Sequence, residues 1–193
     1  MKEKWYLTAV VGPDGAGKSY ILANDIKTDS MHAIPISRRL SKDGGKLFLI
    51  FREFIMAMER CYTYIKIRIK KPMFLDRCVI DALTYSRFWS IHQCRKKFGK
   101  PIPIIERIGR IGTRRLARYP DEVIQLWPGP GREKVKRSEK VYFSHEDVQL
   151  LNAIYNTILI EKGYEIEFEI PYEFGIKKVW RKKDGRKQKG RYI

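Results

Sequence analysis

The chain has 193 residues, a formal net charge of +18 and a pI near 9.9, so it can bury the core of one domain and should attract acidic partners. Its three cysteines lack C-x-x-C spacing, which argues against a zinc or disulfide framework and favours a reducing compartment. The most apolar run, 47–51, is far shorter than a membrane span of ~20 residues, and no apolar signal segment precedes the first strand. We expect a cytoplasmic protein that does not contact a membrane.

A glycine-rich segment follows the first predicted strand. Residues 12–19 fit the pattern G-x-x-x-x-G-K-[ST], in which backbone N–H groups face a phosphate chain, the lysine reaches its outer phosphates and the hydroxyl binds Mg²⁺. A β-branched and aromatic run at 5–11 enters the segment and a helical pattern at 19–26 leaves it, as phosphate binding requires. The predicted nucleotide-binding residues are Gly12, Asp14, Gly15, Ala16, Gly17, Lys18, Ser19 and Tyr20.

Residues 28–69 predict a short strand, a polar loop and a long helix. Pro35 cannot donate to a β-ladder, so the run 32–36 is expected at a sheet edge. Arg38 in the loop either holds a substrate phosphate or stays solvated. Arg60 in the long helix is either half of a surface ion pair or a phosphate ligand. Helical spacing predicts that the apolar residues of this helix pack in the core, namely Leu47, Ile50, Phe51, Phe54, Ile55, Met58, Tyr62 and Ile65.

The next strand, 72–77, ends in two charged residues. Open α/β sheets bind ligands at the carboxyl ends of their strands, where Asp76 can face Mg²⁺ and Arg77 can neutralise a transferred phosphoryl group. Asp81 and Tyr85 share one face of the helix that follows.

The remaining residues predict a strand at 122–127, a basic lid at about 128–142, a helix at 144–162 and a strand at 164–170. We therefore divide the chain into a domain of residues 1–174 and a basic C-terminal tail of residues 175–193. The tail is either solvated or, through its cations with Trp180 and Tyr192, contacts nucleic acid.

This order of elements predicts an α/β, doubly wound fold with a mostly parallel five-stranded sheet and helices on both faces. The chain resembles the thymidylate kinase family of P-loop nucleoside monophosphate kinases over about residues 5–170. The resemblance is carried by four elements: the segment 12–19, Met58-Glu59-Arg60, Asp76-Arg77 followed by Tyr85, and the segment 119–124.

The resemblance implies a P-loop NTPase fold and transfer of the γ-phosphoryl group of ATP, with Mg²⁺, onto a deoxynucleoside monophosphate. Ala16 stands where some members have a catalytic arginine, so the lid is implied to supply one. The implied catalytic residues are Lys18, Asp76, Arg77, Arg132 and Arg137, with Ser19 and Asp76 serving the metal. The implied substrate residues are Asp14 for the sugar, Arg60 and Arg77 for the phosphate and Tyr85 for the nucleoside. We add Arg38 of the loop as a candidate for the phosphate, and Asp81, which stands near the position of the acceptor base.

The sequence departs from the family at three places, which put thymine specificity in doubt. The Arg-Glu-Pro element after the second strand is missing, Cys78 replaces an aromatic residue, and Asp81 replaces a serine. Two other functions stay open: a kinase of a polynucleotide end or of a hydroxylated base in DNA, and a nucleic-acid-binding protein with a regulatory nucleotide site. The expected partners are a nucleotide, nucleic acid at the tail and, as a further option, a second copy of the chain.

Overall fold

The computed structural model describes residues 5–13, 16–26, 30–32, 45–128, 144–173 and 175–183. Six strands form its central sheet: β1 Thr8–Val11, β2 Ser30–His32, β3 Phe74–Asp76, β4 Glu122–Pro128, β5 Tyr164–Tyr172 and β6 Gly175–Lys182. Their order across the sheet is β2-β3-β1-β4-β6-β5.

The helices are α1 Lys18–Ile21, α2 Lys46–Lys70, α3 Val79–Phe88, α4 Cys94–Phe98, α5 Pro103–Gly109 and α6 His145–Glu161. One π-helical turn, Leu22–Ile26, continues α1, and another, Trp89–Gln93, joins α3 to α4. Within the described ranges, no helix combines the length and the apolar character needed to cross a membrane.

The sheet has a parallel half and an antiparallel half. β1 lies parallel to both β3 and β4, and β2 lies parallel to β3. β6 is antiparallel to β4 on one side and to β5 on the other. The α/β class expected from the sequence is confirmed, but the sheet is mixed and has six strands, not five.

The sixth strand lies in the segment that the sequence assigned to a basic C-terminal tail. Trp180 of β6 is 2% exposed, and its Nε1 donates to Oε1 of Gln125 in β4 at 2.7 Å. Two of the cations that suggested a tail are paired with carboxylates of β5: Arg181 with Glu167 at 2.7 Å and Lys178 with Glu169 at 3.0 Å. Residues 175–182 are therefore part of the sheet, and residues 184–193 lie outside the described part of the chain.

Alternate residues of the central strands face two separate cores. Leu7, Ala9 and Val11 pack with residues of α2, α3 and α6, whereas Val10 packs with α1 on the opposite face. Helices thus cover both faces of the sheet, and β1 is buried along its whole length.

Six of the eight apolar residues of α2 that were predicted in the core are exposed, whereas Ile50 is partly buried against the cluster of Leu49, Cys94 and Ile105. The six exposed residues and Ile69, which we together call the apolar stripe, are 44 to 83% exposed: Leu47, Phe51, Phe54, Met58, Tyr62, Ile65 and Ile69. The buried face of α2 instead carries Arg52, Glu53, Ala57, Arg60 and Tyr64, together with Leu49 and Ile67. Both faces repeat every three or four residues. The prediction chose the more apolar face, but the packed one combines the small Ala57 with charges that pair internally.

We predict that Trp180→Ala lowers the free energy of unfolding by about 3–5 kcal/mol, because it removes a buried indole and its hydrogen bond to Gln125. Ile176→Ala, in the same strand but 37% exposed, is the matched control and should cost far less. Urea unfolding followed by circular dichroism measures both. If Trp180→Ala lowers the free energy of unfolding as little as Ile176→Ala does, Trp180 contributes no core contact. Truncation of the chain at residue 176 should then be tolerated.

Candidate functional site

The parallel strands bring two predicted segments to the same edge of the sheet. Val10 of β1 is in register with Asp76 of β3, and the N–H of Arg77 donates to the Val10 carbonyl at 2.9 Å. The glycine-rich segment therefore begins beside the Asp76-Arg77 pair. Both Asp76 and Arg77 are buried.

Gly12 begins the glycine-rich segment in a conformation that other residues adopt with strain. Its φ is +140°, and a Cβ at this position would lie 2.3 Å from the backbone carbonyl oxygen of Leu126 in β4. Only glycine allows the chain to pass this close to β4. Gly17, with φ +77°, provides the second turn, directly before α1.

Lys18 begins α1 and is buried against its own loop. Its Nζ donates to the carbonyl oxygens of Gly12 at 2.9 Å and Pro13 at 2.6 Å. The carbonyl of Ala16 accepts a hydrogen bond from the hydroxyl of Tyr172, which ends β5. The segment is thus held at both the β4 and the β5 side of the sheet.

Arg77 adopts a left-handed backbone, with φ +68°, directly after β3. Such a φ is uncommon for a non-glycine residue and often marks a functional position. Its guanidinium carbon lies 5.7 Å from the centre of the Tyr85 ring, which meets Tyr155 of α6 edge-on at 6.5 Å. The turn after β3 thus directs the arginine toward the ring of Tyr85.

Asp81 lies in the same cluster, where its carboxylate holds the start of α3. Oδ2 accepts from the N–H of Cys78 at 2.8 Å and Oδ1 from the Tyr155 hydroxyl at 2.7 Å. Burial raises the pKa of Asp81, whereas the charges of Arg77 and Lys18 and the two hydrogen bonds act in the opposite direction. Asp81 therefore connects the start of α3 to α6, and its contact with a nucleoside stays a prediction.

Arg60 occupies a separate buried network between α2 and α3. Its Nη2 lies 2.7 Å from Oε1 of Glu53, two turns earlier in α2, and the same oxygen accepts from the Ser86 hydroxyl at 2.9 Å. Gly109 of α5 packs closely against this network, since a Cβ there would lie 2.0 Å from the Ser86 oxygen. The sequence offered a surface ion pair or a phosphate ligand, and the structure places Arg60 in a buried ion pair.

Asp76 and Ser19, the two residues predicted to hold Mg²⁺, are both among the described residues. One carboxylate and one hydroxyl suit this ion, which prefers oxygen ligands and keeps several waters or phosphate oxygens. Asp76 is buried at the strand end, whereas Ser19 is exposed in α1. Tyr20, the other α1 residue predicted to bind nucleotide, is 45% exposed.

The structure thus gathers Lys18, Asp76, Arg77, Asp81 and Tyr85 at one edge of the sheet, whereas the Arg60 guanidinium pairs with Glu53. Five predicted site residues lie outside the described ranges: Asp14, Gly15, Arg38, Arg132 and Arg137.

No protein-family profile matches the chain, and a comparison with curated proteins also gives no match.

Sequence reasoning missed three residues that support these clusters. Glu53 could have been found, because it lies seven residues before Arg60 and therefore on the same helical face. Tyr155 contacts Asp81, 74 positions away, and Tyr172 contacts Ala16, 156 positions away. No local sequence pattern predicts such contacts.

We predict that Gly12→Ala lowers the free energy of unfolding by about 3 kcal/mol or more, because backbone strain and a clash with Leu126 add together. Gly163→Ala is the matched control, since its φ is +78° but nothing lies within 4 Å of the added Cβ. It should cost only about 1–2 kcal/mol. Thermal unfolding of both variants measures the difference, and similar losses would rule out the close approach to β4.

We also predict that Arg60→Ala costs about 3–5 kcal/mol of stability, because it leaves the Glu53 carboxylate buried without its cation. The double variant Glu53→Ala/Arg60→Ala should cost less than the sum of the two single variants. Lys70→Ala, an exposed cation of the same helix, should change stability by less than about 0.5 kcal/mol. Additive single effects in denaturant titrations would contradict the pairing.

Proposed function

We propose that the protein is an ATP- and Mg²⁺-dependent kinase that phosphorylates a deoxynucleoside monophosphate. One observation supports the proposal: β1, which leads into the glycine-rich segment, lies beside the Asp76-Arg77 turn, joined to it by the hydrogen bond from the Arg77 N–H to the Val10 carbonyl. Phosphoryl transfer needs mainly positioning and charge stabilisation, and this edge supplies a lysine, an arginine and a carboxylate for both tasks.

The sheet order supports a P-loop NTPase fold for this proposal. The glycine-rich segment leaves a central parallel strand, β1, and the carboxylate ends its parallel neighbour, β3. Helices on both faces of the parallel half fit the doubly wound arrangement that the sequence predicts. The antiparallel pair β6 and β5 extends this half at one side.

In this proposal the charged groups at this edge bind the phosphates or the metal ion. Lys18 exchanges the carbonyl oxygens of Gly12 and Pro13 for phosphate oxygens of ATP. Arg77 binds the acceptor phosphate and neutralises charge that develops during transfer, while Tyr85 holds the nucleoside beside it. Asp76 and Ser19 are the residues that would hold Mg²⁺, which supplies charge neutralisation on the phosphates when bound. The lid arginines Arg132 and Arg137 remain part of the proposal.

A second acceptor, a polynucleotide, is favoured by a separate observation. Arg107, Arg114 and Arg115 are exposed at α5 and in the turn after it, and Arg68 of α2 joins them because its Nη2 donates to the Arg115 carbonyl at 3.1 Å. A cluster of exposed arginines is typical of surfaces that contact a phosphate backbone.

The test is transfer from γ-labelled ATP with Mg²⁺, offered in parallel to the deoxynucleoside monophosphates and to single- and double-stranded DNA with free ends or hydroxylated bases. Label in a nucleoside diphosphate supports the monophosphate kinase and names its base. Label only in polymer, with activity that falls steeply as salt rises, supports the second acceptor. No label in any acceptor contradicts both.

We predict that Lys18→Ala lowers phosphoryl transfer at least about 100-fold, because it removes the cation nearest the proposed phosphate site. Lys100→Ala, which removes the same charge from an exposed position outside the site, should retain activity. Initial rates with the acceptor found above measure both variants, and circular dichroism confirms folding. A folded Lys18→Ala variant with full turnover would rule out this site.

A further inference from the structure

Four exposed arginines lie on the side of the protein that is formed by α5, the turn after it and the last turns of α2. We call them the arginine face: Arg68, Arg107, Arg114 and Arg115. Three of them belong to one compact segment, 107–115, whose N–H groups bond back by three residues from Arg110 and from Thr113. Arg68 joins this segment, because its Nη2 donates to the Arg115 carbonyl at 3.1 Å.

The carboxylates near the arginine face are paired with other arginines. Glu106 pairs with Arg87 at 3.1 Å and with Arg110 at 2.6 Å, and Asp121 pairs with Arg118 at 2.6 Å. In the part of the chain that the structure describes, no carboxylate forms an ion pair with a member of the arginine face. Its positive charge is therefore available to a polyanion outside the chain.

Two lysines extend this charge beyond the turn. The Nζ atoms of Lys162 and Lys182 lie 5.7 and 5.6 Å from the centre of the ring of Tyr119, which follows Arg115 closely in the chain. Lys162 comes from the end of α6 and Lys182 from the end of β6. Cations from distant parts of the sequence thus meet on one side of the folded protein.

An apolar pocket of about 390 Å³ opens within the arginine face. It is lined by Cys61, Ile111, Gly112 and Leu116 together with Arg114 and Arg115. Pockets that hold small ligands have volumes of about 300–1,000 Å³. A base of single-stranded nucleic acid is free to enter such a pocket, whereas the bases of a duplex are stacked on one another.

The arginine face lies away from the candidate site. The first residues of three parallel strands are in register, Thr8 of β1 with Phe74 of β3 and with Glu122 of β4, and the site lies beyond the opposite ends of these strands. The segment with Arg114 and Arg115 leads into the start of β4, and α2 ends just before β3. The four residues of β1 span about 13 Å between the two edges.

We propose that the arginine face binds a single strand of nucleic acid, with its arginines on the phosphates and one unstacked base in the pocket. A guanidinium group binds phosphate oxygens in pairs and also stacks on bases, so Arg114 and Arg115 suit both contacts. DNA and RNA strands share this chemistry. Because the strand lies outside the candidate site, the proposal does not rest on the proposed kinase activity.

The first experiment measures anisotropy of labelled oligothymidylate and oligouridylate of about 15 nucleotides with the full chain, without ATP. Four phosphate contacts give a slope of about −2.8 or steeper for log association constant against log salt. Affinity should therefore fall about 50-fold or more between about 50 and 200 mM salt. In Arg114→Ala/Arg115→Ala this fall should be about sevenfold smaller, because two contacts are lost.

The matched control is Lys46→Ala/Lys97→Ala, which removes the same charge. Both lysines are exposed beside the Phe98 ring at the start of α2, about 33 Å along the helix from Arg68. This control should keep the wild-type salt dependence, and circular dichroism checks the folding of both double variants.

The second experiment tests the pocket with an abasic strand, which keeps the phosphates and lacks the bases. It should bind about 10-fold or more weakly than oligothymidylate. Ile111→Ala should weaken oligothymidylate binding about 3–10-fold and change binding of the abasic strand less than about twofold, because it shortens an apolar side chain of the pocket. Ile104→Ala, 41% exposed on α5 and outside the pocket lining, is the control and should bind both strands as the wild type does.

Binding of the DNA or the RNA strand alone would support the proposal and identify the strand. Four results would overturn it. No binding of either strand at about 50 mM salt would exclude the proposed partner. An equal change of salt dependence in the two double variants would show attraction by net charge alone. Equal affinity for the abasic strand would exclude base binding in the pocket. Tighter binding of a duplex, or of vesicles with about 30% phosphatidylserine, would show that the arginine face serves a different polyanion.

Discussion

The parallel pairing of β1 with β3 is the constraint on which the candidate site depends. Parallel strands end at the same edge, so the register of Val10 with Asp76 brings together two segments separated by more than sixty residues of sequence. The hydrogen bond from Arg77 to Val10 continues this ladder by one step, after which the left-handed turn at Arg77 redirects the chain. Gly12 allows the chain to continue past this edge after β1, because a residue without a side chain can pass close to the Leu126 carbonyl.

Helix α2 buries its charged face in the protein and exposes its apolar face at the surface. Burying Arg60 and Glu53 together satisfies both charges, while either alone would be costly in a low-dielectric interior. Ser86 of α3 donates a hydrogen bond to Glu53, and Gly109 lets α5 approach Ser86 closely. With the polar face committed inward, the apolar stripe faces outward. The internal network and the exposed apolar stripe are therefore two consequences of one helix orientation.

Charge is distributed in the structure in a way that the composition alone conceals. Several cations near the C-terminal end of the chain are paired with carboxylates of β5, and they help to hold β6 in the sheet. The exposed arginines of α5 and the turn after it form a different group, joined to α2 through Arg68. The high net charge thus combines a structural contribution with a surface that suits a polyanion.

The sequence by itself determined the glycine-rich segment, the Asp76-Arg77 strand end and most helices and strands, because each depends on residues close together in the chain. It also predicted α2 from 46 to 69, close to the observed Lys46–Lys70. Only the tertiary structure decided which face of α2 is buried, since both faces have helical spacing and the choice depends on pairing between Arg60, Glu53 and Ser86. It likewise decided that residues 175–182 form a strand, because the partners that neutralise and bury them lie in β4 and β5.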